Sequence, residues 1–129
     1  MTKQEHIQWW IDEADRNWET AIFNMNGKQN VFALFAFHLC VEKLLKAAWV
    51  KDNVDNIPPR THDLTKLYND TDLQLEPSQY DFLIVINDWN IDGRYPDYKL
   101  KVYARATDSY LQEQLTKIAV LIENIKRQL

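Results

Sequence analysis

Apolar positions recur at helical spacing through most of the chain. After Thr2, with Glu5 three residues on as in a capping box, Ile7, Ile11, Ala14, Trp18, Ala21 and Met25 step by 4, 3, 4, 3 and 4. That is the period of one helix face. Asp12, Glu13, Asp15, Arg16 and Glu19 fall on the opposite face, which reads as solvated surface. The C-terminal stretch repeats the steps with Leu111, Leu115, Ile118, Ile122, Ile125 and Leu129. It predicts an amphipathic helix of roughly 25 residues. Residues 29–51 differ: Val31, Leu34, His38, Val41, Leu45 and Ala48 make one seam, while Phe32, Phe35, Leu39 and Trp49 occupy other faces. A helix apolar almost all round belongs at the centre of a bundle.

Gly27, Pro58-Pro59, Pro77 and the Gly93/Pro96 pair punctuate these segments. Pro58-Pro59-Arg60-Thr61-His62-Asp63-Leu64 opens a short helix with Thr61 as cap, Asp63 against its positive end, and a stop near Asn69-Asp70. Residues 78–90, with Tyr80, Phe82, Leu83, Val85, Ile86 and Trp89, have strand-like β-branching, but a lone strand would find no partner. They are predicted helical. The expected fold class is therefore all-α, one domain over 1–129, an up-and-down bundle of three long helices plus two shorter ones. Its long helices should pack antiparallel at about 20°, with the short ones closing one end.

A composition of 46% apolar residues with five Trp supports one packed core and excludes disordered or low-complexity classes. No run approaches the ~20 apolar residues of a membrane span, and Met1 to His6 lack an apolar leader, so a cytoplasmic location is expected. The single cysteine, Cys40, rules out a disulfide framework within the chain and reads as a small buried apolar group. Two glycines are too few for a dinucleotide or P-loop phosphate cradle. Ser78 and Ser109 lack the Gly-x-Ser-x-Gly surroundings of a hydrolase nucleophile.

Charge changes the picture locally. The chain carries −4, yet residues 93–105 hold Arg94, Lys99, Lys101 and Arg105 against Asp97 alone, a local +3 that leaves −7 elsewhere. Cations suit phosphate, and Tyr95, Tyr98 and Tyr103 offer faces on which a base or an arginine could stack. The stretch reads equally well as a loop capping the bundle, with Arg94 paired to an acidic residue of the first or second helix. His38, Glu42 and Lys46 stand four residues apart in one row of the central helix. Such a row suits proton transfer or the grip of a polar ligand, or else a satisfied hydrogen-bond network between helices. With no second Glu-x-x-His, a di-iron bundle lacks most of its ligands, so no metal is expected. His62 beside Asp63 could be an oriented imidazole, or simply a loop contact next to a helix-start carboxylate.

Three stretches, Phe37-His38-Leu39-Cys40-Val41-Glu42-Lys43-Leu44-Leu45-Lys46-Ala47, then Arg60-Thr61-His62-Asp63-Leu64, then Arg94-Tyr95-Pro96-Asp97, closely resemble the HEPN domain (higher eukaryotes and prokaryotes nucleotide-binding). The likeness covers about 9–126. The resemblance implies a helical bundle, often a homodimer. It implies either a metal-independent ribonuclease toxin or a domain that accompanies a separate minimal nucleotidyltransferase or binds nucleotides. The ribonucleases carry Arg, four to six residues, then His; no arginine here has a histidine at that spacing, and the Gly-Ser pair of a nucleotidyltransferase is absent. The expectation is thus a domain that binds nucleotide or RNA phosphate, or partners a nucleotidyltransferase in a toxin–antitoxin-type system, with no turnover and no cofactor of its own. Arg94, Tyr95, Asp97, Tyr98 and Lys99 would form the ligand site, with His38, Glu42 and Lys46 lining the adjacent groove. The alternatives are a ribonuclease toxin using His38 or His62 with Arg94, and a homodimeric interaction module without ligand.

Overall fold

The computed structural model describes residues 1–92 and 94–129; the expectation placed on Gly93 lies outside the described residues. The first helix, α1 (Lys3–Asn26), opens on the predicted capping box: Thr2 Oγ1 accepts from the Glu5 N–H at 3.1 Å, and Glu5 Oε1 accepts from the Thr2 N–H at 3.4 Å. It ends in a Schellman turn, in which the Gln29 N–H reaches Asn24 O at 2.8 Å and the Lys28 N–H reaches Met25 O at 3.1 Å. The residue in the left-handed region is Lys28 (φ 61°), while Gly27 sits at φ −84°. The glycine marks the turn, but its neighbour carries the strain.

The central helix α2 (Asn30–Asp52) runs back along α1, so that Lys3 Nζ donates to Val50 O and Asn53 O, both at 2.7 Å, at the far end. The remaining helices are α3 (Leu64–Asn69), α4 (Pro77–Asn87), α5 (Pro96–Arg105) and α6 (Asp108–Arg127). The described residues form helices and no strand, so the all-α expectation holds. Asn30 Nδ2 donates to Asp108 Oδ1 at 2.8 Å where α2 and α6 both begin, and Lys126 near the end of α6 pairs with Asp15 of α1 at 2.7 Å. Hence α6 runs parallel to α2 and antiparallel to α1. Near its start α4 touches the end of α6, through Asn124 Nδ2 to Gln79 Oε1 at 2.8 Å. Past its end, Trp89 Nε1 donates to Tyr110 Oη at 3.1 Å near the start of α6. The result is an up-down-up-down bundle of α1, α2, α4 and α6, with α5 continuing the upward course of α4.

Three sequence expectations need correcting. There are six helices among the described residues rather than five, because the basic stretch read as a loop contains α5. Its only buried helical residue is Val102, so the periodic apolar signal was too sparse to show it, although Pro96 in the first turn and Asp97 behind it are favourable start residues. The last helix spans 20 residues, starting only at Asp108 behind the Thr107 cap. The cap of α3 is Asp63, not Thr61: Asp63 Oδ1 accepts from the N–H groups of Thr65 and Lys66, while Thr61 Oγ1 accepts from the Asp63 N–H.

The core is built around α2, whose Leu34, Phe37, Val41, Leu44 and Leu45 are buried against Ala14 and Ala21 of α1 and Leu111, Ile118, Leu121 and Ile125 of α6. Small residues on α1 let the two long helices approach closely, and Trp18 closes edge-on over Phe37 at 5.3 Å. Truncating Phe37 to Ala would cost about 3–5 kcal/mol. The cysteine is buried as expected, and burial pushes the Cys40 thiol up to about 12.

Candidate functional site

The polar row of α2 lies deep: His38, Glu42 and Lys46 are 0%, 2% and 8% exposed. A central helix cannot leave such groups unpaired without a large desolvation cost, and the loop between α2 and α3 supplies most of what they need. His38 Nε2 donates to the carbonyl of His62 at 3.1 Å. Burial pushes the His38 pKa below its ordinary value, so the ring is neutral. With its proton on Nε2, Nδ1 is a bare acceptor, buried and without a hydrogen-bond partner.

Glu42 is the hub. Its Oε1 takes a hydrogen bond from His62 Nδ1 at 2.6 Å, and its Oε2 pairs with Lys46 Nζ at 3.2 Å. Lys46 Nζ also lies 5.3 Å from the centroid of the Trp10 ring, a cation–π contact. Because a carboxylate only accepts, the Glu42 bond fixes the His62 proton on Nδ1. The His62 side chain is 55% exposed, although its Nδ1 is bonded to the buried Glu42. The sequence placed Glu42 in a row with His38; the structure gives it His62 as its close partner, from a loop twenty residues away.

Next to His62, Asp63 caps α3 and ties it to α4. Its Oδ1 accepts from Asn87 Nδ2 at 3.1 Å, and Asn87 Oδ1 accepts from the Leu64 N–H at 3.0 Å. The Thr65 hydroxyl, followed by Asn87 and the helix-end N–H groups, holds the Asp63 carboxyl below the usual carboxylate range. One residue beyond Asn87, the Asp88 carbonyl accepts from Tyr98 Oη at 2.6 Å. Arg94 Cζ lies 4.5 Å from the centroid of the Tyr98 ring. Burial and the nearby Asp88 raise the Tyr98 pKa, with the Arg94 and Arg105 charges opposing them. Among the described residues Arg94 makes no ion pair with α1 or α2, so that pairing of the capping alternative is not found, whereas Tyr98 does pack against the core. Tyr95 and Asp97 are exposed at the start of α5, and Lys99 is half-buried one turn on.

The two groups that the sequence placed in one site are joined step by step, from Glu42 and His62 through Asp63 and Asn87 to Asp88, Tyr98 and Arg94. Both stand at the height of the middle turns of α2, where α4 ends and α5 begins. Sequence reasoning passed over Asn87 and Trp10. Asn87 is a polar residue at the end of an apolar run, and Trp10 lies off the α1 stripe, so neither fits the periodic pattern around it.

Chemically the corner combines cations able to hold phosphate with an imidazole oriented by a carboxylate. No helix of the described residues is long and apolar enough to cross a membrane. Comparison with curated proteins and with solved structures returns no match. The family model of the HEPN domain matches residues 7–128, nearly the whole chain. Together with the all-helical bundle, that match assigns this chain to the HEPN family, whose functions concern nucleotides and RNA.

Proposed function

We propose that this HEPN domain binds the phosphate of a nucleotide or of RNA at the corner where α4 meets α5, and that it acts alongside a separate minimal nucleotidyltransferase in a toxin–antitoxin-type system without turnover of its own. The observation that carries the reading is the Arg94–Tyr98 stack, 4.5 Å apart, just before a helix that adds Lys99, Lys101 and Arg105 on an acidic chain. Stacking presents the guanidinium as a fixed fork for phosphate oxygens, and Lys99 adds charge one turn away. Tyr95 and Tyr98 shape the walls, Asp97 stabilises the start of α5, and His38, Glu42 and Lys46 support the adjoining surface. The missing Arg-x4-6-His pattern favours binding over turnover. Titration with ATP and with single-stranded RNA tests this. Arg94→Ala and Lys99→Ala should each weaken binding and flatten the log–log salt dependence for RNA by about 0.7. Equal affinity of wild type and Arg94→Ala removes the site.

One observation favours a second reading. The 2.6 Å bond from His62 Nδ1 to the buried Glu42 is the arrangement that orients an imidazole for proton transfer, and supports a metal-independent ribonuclease that uses His62 with Arg94. His38, neutral and turned inward, would only steady the His62 backbone. Cleavage of RNA by the purified protein that disappears in His62→Ala would establish this reading; absence of cleavage in wild type would end it.

A further inference from the structure

On the side of Glu42 away from Arg94, the network opens onto an aromatic hollow. Lys46, bonded to Glu42, lies over Trp10, and Trp10 stands edge-to-face with Trp9, centroids 4.9 Å apart and planes at 85°. His6, Trp9 and Trp10 of α1 make one wall, and Asn56, Ile57 and Pro58 of the loop leading to His62 make the other, around about 270 Å³. That is a little under the ~300–1,000 Å³ of pockets for drug-sized ligands, so it suits one planar ring system rather than a whole nucleotide. Trp9 is 48% exposed, and its perpendicular contact with Trp10 pre-orders it. Lys46 occupies Trp10, so the free stacking surface belongs to Trp9. Asn56, a half-buried residue, adds a polar side chain to the opposite wall.

We propose that this hollow receives an unstacked base of single-stranded RNA, held against Trp9, from the strand whose phosphates meet Arg94. The inference rests on the RNA-binding reading above and adds a base subsite to it. The hollow and the arginine lie at opposite ends of the His62 network, so the natural ligand is an oligonucleotide crossing His62 rather than a mononucleotide. Stacking on Trp tolerates any base, so the subsite is expected to take all four bases with similar affinity.

The test compares two probes of equal charge, an oligoadenylate hexamer and an abasic ribose-phosphate hexamer, on the full chain. Trp9→Ala is expected to reduce the preference for the base-bearing probe by about 5- to 150-fold, while Trp9→Phe keeps most of it. Arg94→Ala should weaken both probes alike and leave the preference unchanged. Because Trp9 is half-exposed, thermal melting is expected to show Trp9→Ala folded; Ile57→Asp, which puts a carboxylate on the 69%-exposed rim, should reduce affinity without touching the tryptophans. A preference unaltered in Trp9→Ala overturns the base subsite, whatever Arg94→Ala does. No effect of Arg94→Ala on either probe overturns the phosphate site alone.

Discussion

Glu42→Gln is the most revealing perturbation of this molecule. The Glu42 side chain is 2% exposed and that of Lys46 10%, their charges are 3.2 Å apart, and His62 closes the other carboxylate oxygen at 2.6 Å. The amide is nearly isosteric, so packing is kept while the charge is lost. Removing one member of a buried pair costs about 3–5 kcal/mol, because the survivor remains desolvated without its partner. Here the lower end applies: Lys46 retains the Trp10 face and has a long stem that can carry its head toward water. A loss of about 3 kcal/mol corresponds to roughly 10–15 °C in Tm for a domain of this size. Urea unfolding should show a lower midpoint at unchanged slope. The double variant Glu42→Gln/Lys46→Met removes the stranded charge and should recover much of the loss. A single-variant change under 1 kcal/mol, or a double variant no better than the single, would refute the claim that the buried carboxylate is held by this pair.

Three further outcomes follow from particular groups. Lys28→Gly relieves a left-handed backbone at the α1–α2 turn and should stabilise by about 0.5–1 kcal/mol in urea unfolding, since the exposed Lys28–Asp108 pair it deletes contributes little; destabilisation would count against the strain argument. His38 is neutral and buried with a lowered pKa, so the unfolded chain takes up a proton below about 6.5 that the folded chain refuses. Stability should hold above that pH and fall below it by up to ~1.4 kcal/mol per unit, and His38→Gln should flatten the slope between pH 6.5 and 5.5; parallel curves would sink the assignment. Asp63→Ala removes the α3 cap and the tie to Asn87, for a loss of about 1 kcal/mol. Its lowered pKa makes the wild-type contribution full above the ordinary carboxylate range and lost as pH falls through the folded value, so the two proteins should converge in acid.

Helix periodicity alone revealed α1, α2 and α6, because each buries a continuous face and the 3.6-residue repeat records burial directly. The all-round apolarity of α2 likewise announced its central place, and the Thr2/Glu5 cap and the turn at residue 27 were visible as local chemistry. The amino acids alone also concentrated the positive charge at residues 94–105 and put His38, Glu42 and Lys46 on one helix row. Tertiary structure decided the rest. Whether a sparse stretch such as 96–105 is helix depends on a single buried valine finding a surface to cover, and no window of ten residues contains that surface. The partner of Glu42 is set by how the 53–63 loop climbs back along α2, so a histidine distant in sequence displaces the nearby one. The tie through Asn87 and the hollow at Trp9 exist only because three helices and a loop converge, and hydrogen bonds between distant segments leave no period in the chain that makes them.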